Sequence, residues 1–255
     1  MKRTILVATS LCLIAVLIVC AIGGYTTAIA EKRKVPIYSV DTPSNLVSIS
    51  FDAAWGADKT RAILDICDEY NVKATFFLVG FWVDKFPDMV VEIARRGHEI
   101  GTHSQTHPQM SKLSHSQVVE ELSASCDKIV AITGKPIVVF RPPFGDYNNQ
   151  LLQVAENLGL YTIQWSVDSL DWKGISAQQI ASRVVVAKAG DIILCHNNSD
   201  HIVEALPAIF TAMASKGLSF VPIGELIYKT NYTVDHMGVQ HLNELASNLE
   251  SKEKL

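Results

Sequence analysis

Residues 46–79 read LVSISFDAAWGADKTRAILDICDEYNVKATFFLV, and this stretch sets the fold class. Leu46 to Phe51 is a short apolar run with β-branched residues, the composition of a strand. Asp58 is placed to cap a helix running to Tyr70, in which Ile63, Leu64, Cys67 and Tyr70 recur at helical spacing, and Asn71 suits a left-handed stop. Lys73 to Val79 then reads as a second, buried strand. Strand, helix and strand in so short a span make the repeating unit of an α/β protein with a parallel sheet.

The same alternation continues outward. Helices are predicted over Asp84 to Arg96, Ser116 to Thr133 (stopped by Gly134), Asn149 to Leu158, Ser176 to Ala187 and His201 to Lys216 (stopped by Gly217). Strands are predicted at Glu99 to Thr102, Ile137 to Arg141, Thr162 to Val167, Asp191 to His196 and Ser219 to Pro222. About seven strands alternating with helices suggest a (β/α) barrel, although periodicity alone does not separate a closed barrel from an open doubly wound sheet. From Asn231 the sequence turns polar and patternless, so residues 231–255 are expected to form a tail.

The 255-residue chain is sized for one large domain, placed at residues 37–230, once the leader and linker of residues 1–36 are set aside. With 22 Lys+Arg against 26 Asp+Glu, it has no cationic excess to gather phosphates, which argues against a nucleic-acid partner. Cys12 and Cys20 lie in the leader; Cys67, Cys126 and Cys195 are far apart, without zinc-ribbon or redox spacing, and read as small buried hydrophobes. The leader places Lys2 and Arg3 before an apolar stretch that carries no charge until Glu31. That stretch reaches the roughly 20 residues of a spanning helix, against roughly 7–15 for a cleavable signal core. The flanking positive charges would stay inside the cell, so the chain is expected as a single-pass membrane protein with its domain outside. Ala28-Ile29-Ala30 offers a small-residue cleavage site and hence the alternative of secretion.

Polar residues fall at telling places. Asp52, His103, Arg141, Asp168 and His196 each end or just follow a predicted strand, the face of an α/β barrel that carries chemistry. Within residues 101–108, GTHSQTHP, His103 and His107 stand four apart, close enough for one turn to aim both at one divalent ion. Alone, that spacing is equally met by two loop histidines. Arg141-Pro142-Pro143-Phe144-Gly145 makes a stiff turn that would hold the arginine in one orientation. Asp168-Ser169-Leu170-Asp171-Trp172 sets carboxylates beside a large ring, and Ile192-Ile193-Leu194-Cys195-His196 ends a buried strand in a histidine suited either to core packing or to acid catalysis.

In this order, the segments resemble the five motifs of the polysaccharide deacetylases of carbohydrate esterase family 4, the NodB-homology domain, over roughly Asn45 to Tyr228. Tyr70 to Phe77 and Gly97 to Gly101 resemble the family's framing text as well. Ser50-Phe51-Asp52 with Trp55-Gly56 is similar to the family's sporulation-associated branch. The resemblance implies a distorted barrel and metal-dependent hydrolysis of N-acetyl groups from N-acetylglucosamine-type glycans such as peptidoglycan or chitin. It implies that His103 and His107 bind Zn2+ or another divalent metal, and that Asp52 is the general base, held ionised by Arg141. His196, oriented by Asp171, would be the general acid. Phe144 would lie at the oxyanion, and Trp172 and Leu194 would wall the acetyl pocket. The implied partners are a cell-wall polysaccharide and, through the leader, the membrane, with the chain acting as a monomer.

One position departs from the family pattern. Where a second aspartate is expected as the third metal ligand, the chain has Ala53, which offers no lone pair. Asp58 or another carboxylate could substitute, Asp52 could itself turn to the metal, or an ion could be held weakly and only with substrate. Two readings follow: an active deacetylase with altered coordination, or a silent glycan-binding module on the same fold. An unrelated zinc peptidase would need a motif such as His-Glu-x-x-His, which is absent.

Overall fold

A computed structural model describes residues 32–243. The apolar leader expected as an anchor or signal lies outside them, and among the described residues no helix is long and apolar enough to cross a membrane. The strands are β1 (Ser39–Val40), β2 (Leu46–Ala53), β3 (Thr75–Leu78), β4 (Glu99–Thr102), β5 (Val139–Phe140), β6 (Tyr161–Thr162), β7 (Val167–Asp168), β8 (Ile192–His196), β9 (Ser219–Phe220), β10 (Tyr232–Val234) and β11 (Val239–Leu242).

The main sheet runs in the order β6-β5-β4-β3-β2-β8-β7, with every pairing parallel and β9 added beside the start of β2. β6 and β7 are neighbours in sequence yet lie at opposite edges. The segment between them closes the curl: Ile163 N–H bonds to Phe140 O at one edge, and Ser166 N–H to Ile192 O at the other. The single strand expected over Thr162 to Val167 is therefore two short ones. The result is the distorted barrel anticipated above, joined by a crossing segment in place of a ladder.

Alternation along β2 explains its place at the centre. Val47, Ile49, Phe51 and Ala53 face the helices and are fully buried in the main core, where Phe51 stacks on Phe76 at 5.1 Å. Burial of each ring contributes about 1.5–3 kcal/mol. Ser48, Ser50 and Asp52 take the opposite, inner face. The two hydroxyls are satisfied there by Val221 O and Ile193 O, each at 2.7 Å. Phe77 also fills the interior, beside Val139, Ile192 and Ile223. It does so because Gly101 has no side chain: a Cβ there would meet the Phe77 ring at 2.6 Å.

Several boundaries differ from expectation for local reasons. The helix placed at Asp84 to Arg96 is two, α2 (Gly80–Lys85) and α3 (Pro87–Arg95), because Pro87 lacks the N–H that would continue a single helix. Asp58 does not cap α1 (Thr60–Glu69), whose N-cap is Lys59 without a side-chain bond; Asn71 does turn left-handed at φ 53°. α4 (His115–Thr133) starts with a Ser114–Gln117 capping box and stops at left-handed Gly134. The stretch from Asn231, expected as a tail, contains β10 and β11, which pair antiparallel with each other, and β11 also pairs parallel with β1. Its polarity concealed this: fully buried Gln240 exchanges two hydrogen bonds with the backbone of Tyr228, so a polar residue serves as core.

Candidate active site

The expected polar residues gather at the C-terminal face of the sheet, around a cleft of about 680 Å³. Asp52 ends β2, His103 follows β4, Arg141 follows β5, Asp168 ends β7 and His196 ends β8. Asp52, His103, His107, Phe144, Asp171, Trp172, Leu194 and His196 all line this cleft.

Arg141 is fully buried behind it and organises the floor. Its Nη1 donates to Asp52 Oδ1 at 2.8 Å and to Ser50 Oγ at 2.7 Å; its Nη2 donates to Gln164 O at 3.1 Å. The guanidinium lies 4.3 Å above the Phe77 ring, a cation–π contact inside the barrel. Burial raises the cost of ionising Asp52, but Arg141, then His103 and His196, outweigh it and hold the carboxyl below the usual range.

The two histidines are placed by a braced turn. Ser104 and His107 adopt left-handed backbone angles, and Ser104 Oγ accepts the His107 N–H at 3.0 Å. Glu121, from α4, accepts the N–H groups of Gln105 and Thr106 at 2.9 and 2.8 Å. The imidazoles come to rest with ring centres 4.9 Å apart. His103 Nδ1 lies 2.7 Å from Arg141 O, and since a carbonyl only accepts, Nδ1 carries the proton. Burial keeps His103 more readily neutral than usual, against the opposing pull of Asp52. Its Nε2 then faces Asp52 Oδ2 at 3.6 Å. For His107, burial reinforced by His103 lowers the pKa to about 4.

This arrangement does not complete a catalytic metal site. The buried Nδ1–H to a carbonyl is the support that ligating histidines use. Yet Ala53 faces the helical core and offers no donor, Asp52 Oδ1 is already bound by Arg141, and Asp58 does not line the cleft. Among the described residues no group of three His, Cys, Asp or Glu side chains is arranged to hold an ion. The three-ligand set of a catalytic zinc is therefore not met.

The opposite wall carries the second pair. Asp171, buried at 1% exposure, accepts from His196 Nδ1 and from the His196 backbone N–H, each at 2.7 Å, and from Ser199 Oγ at 2.9 Å. Asp168, whose part the sequence left open, accepts the Leu170 N–H at 2.9 Å and so shapes the turn that presents Asp171. Burial pushes the His196 pKa down, but hydrogen bonding and charge from Asp171 outweigh it, and the net shift is upward. The stabilisation from this pair is complete below the ordinary imidazole value of about 6.5 and fades as pH rises through the higher folded value. Asp171→Asn is expected to lower the His196 midpoint in an NMR titration of its imidazole protons; an unchanged midpoint would remove Asp171 as the cause.

Ser50, Gln164 and Ser199 were not anticipated. Ser50 was legible, because it lies two residues before Asp52 on the same strand face. Gln164 acts through its backbone oxygen and Ser199 through a long-range contact, neither of which leaves a local pattern.

The polysaccharide deacetylase family matches residues 39–163. A peptidoglycan-N-acetylglucosamine deacetylase of Bacillus cereus is 34% identical, covering 73% of this chain and 70% of its own. The chain belongs to the polysaccharide deacetylase family. Another relative, YlxY of Bacillus subtilis, an uncharacterised protein, is 31% identical over 76% of this chain and 61% of its own, so the chain spans less than two thirds of it. Among solved structures of this family, a protein of Bacillus anthracis described as a pseudoenzyme superimposes with TM-score 0.74 at 32% identity, covering 76% of this chain and 69% of its own.

Proposed function

We propose that the cleft binds N-acetylglucosamine-type units of a cell-wall glycan of the peptidoglycan kind and hydrolyses their N-acetyl group. The observation that carries this reading is the pair of ordered couples on one cleft, Asp52 with Arg141 and His196 with Asp171. Asp52, kept ionised, takes a proton from water as its oxygen attacks the acetyl carbonyl. The tetrahedral intermediate collapses by breaking the C–N bond. His196 bonds Asp171 through Nδ1, so Nε2 is the atom that delivers a proton to the departing amine. Acetate leaves, and the proton on Asp52 returns to His196 through solvent.

A second reading rests on Ala53. A cleft without a three-ligand metal set would bind the same glycan and turn it over too slowly to matter. The two are separated by acetate release from N-acetylglucosamine oligomers and peptidoglycan with the purified full chain. Under the first, His196→Ala lowers release by about 100-fold or more; under the second, the natural chain and the variant are alike at background.

The leader supports placing the domain outside the cell, tethered by residues 1–36 or released by cleavage, where a wall glycan is within reach. Trp55-Gly56 supports a place on the sporulation-associated branch. Expression confined to sporulating cells would agree with that placement, and expression only in vegetative growth would contradict it.

A further inference from the structure

Four phenylalanine or tryptophan side chains are exposed among the described residues: Trp55, Phe81, Phe144 and Trp172. All four belong to one region. Trp55, Phe144 and Trp172 line the cleft, and Phe81 lies 6.1 Å from Trp55. Aromatic rings left in contact with water carry a cost in solubility, so their concentration at one mouth marks a binding surface.

Trp55 is the least explained of them. It stands two residues after the end of β2, is 66% exposed, and has no part in either acid–base couple. Its position is nevertheless fixed. The next residue, Gly56, presents a carbonyl that accepts from Trp82 Nε1 at 2.7 Å and from buried Asn197 Nδ2 at 2.9 Å. Gly56 itself sits at φ +67°, and a Cβ there would collide with Asn198 at 2.3 Å. The indole is thus held out from a rigid corner, edge to face with His107 at 5.0 Å on one side and leaning toward Phe81 on the other. The cleft floor therefore continues outward as an aromatic strip.

We propose that Trp55, extended by Phe81, is a stacking platform for a sugar ring next to the one in the cleft, so that the protein takes a glycan strand in preference to a single sugar. This rests on the glycan reading above. The C–H face of a pyranose is apolar and packs on a flat ring, while its rim hydroxyls stay in water, which suits a platform that is open on one side. Phe81, which is not part of the cleft lining, prolongs the surface away from it.

Calorimetric titration of the full chain with N-acetylglucosamine and with its β-1,4-linked tetramer tests this. Trp55→Ala is expected to weaken tetramer binding by roughly tenfold, the loss of one stacked ring, and monomer binding by much less. Trp55→Phe should keep most of the tetramer affinity, and Phe81→Ala should lose a smaller part of it. Equal tetramer affinity in the natural chain and in Trp55→Ala overturns the platform alone. Equal losses for monomer and tetramer overturn it too, by placing Trp55 against the reacting sugar. Failure of the natural chain to bind the tetramer overturns the glycan reading and the platform with it. Unfolding temperature checks that the variants fold, and Phe81→Ala still decides the matter if Trp55→Ala does not.

Discussion

Arg141→Met is expected to lower the free energy of unfolding by about 3–5 kcal/mol at neutral pH, the effect of removing one partner from a buried ion pair. The guanidinium has no exposed surface and satisfies Ser50, Asp52 and Gln164 at once. Methionine fills part of the volume above Phe77 but leaves Asp52 ionised in a site that burial disfavours. The pH dependence carries the sign. In the natural chain the Asp52 carboxyl is held below its ordinary value, so its contribution is present above about pH 3.9 and is lost as pH falls through the lower folded value. Without Arg141, burial moves Asp52 upward; acid then neutralises it, and the deficit of the variant narrows. Urea unfolding at pH 7 and pH 5 checks both parts. A deficit below about 1 kcal/mol, within the range of an exposed pair, would show that the couple is not what holds the floor.

Ala53→Asp is the second large effect. Ala53 is fully buried on the helix-facing side of β2, so a carboxylate there meets Phe51 and its neighbours before it meets water. Without metal the variant is expected to lose about 2–4 kcal/mol. With a divalent ion, the carboxylate has a reason to turn toward His103 and His107, and zinc at about 100 times its dissociation constant would restore about 2.7 kcal/mol. The natural chain, which has only the two imidazoles, should show little zinc-dependent stabilisation. Unfolding of both proteins with zinc and with a chelator makes the comparison, and equal zinc response in the two would show that Ala53 is not the missing donor.

What the sequence disclosed was whatever period and position encode. Alternating strands and helices give the parallel sheet, and a polar residue ending an apolar strand lands on the face that carries the cleft, as Asp52 and His196 do. Left-handed stops at Asn71 and Gly134 follow from residue type alone. Events that depend on distant parts of the chain stayed hidden. The crossing at 163–166 is set by where the two edges of the sheet come to lie, and Gln240 is buried because Tyr228 supplies its partners. The orientation of Ala53 was legible, since it is one residue from Asp52 and strand neighbours face opposite sides. Which side is the barrel interior required the fold itself. The aromatic strip at Trp55 and Phe81 needed the structure too, because the two residues are joined only by the return of α2 past the end of β2.

The most direct test of the deacetylase reading is acetate released from the N-acetylglucosamine tetramer and from peptidoglycan by the natural full chain, measured beside Asp52→Asn. Release by the natural chain is expected, with a fall of about 100-fold or more in the variant, which keeps the shape of the site but loses the base. Acetate at the same background level from both proteins would contradict that reading.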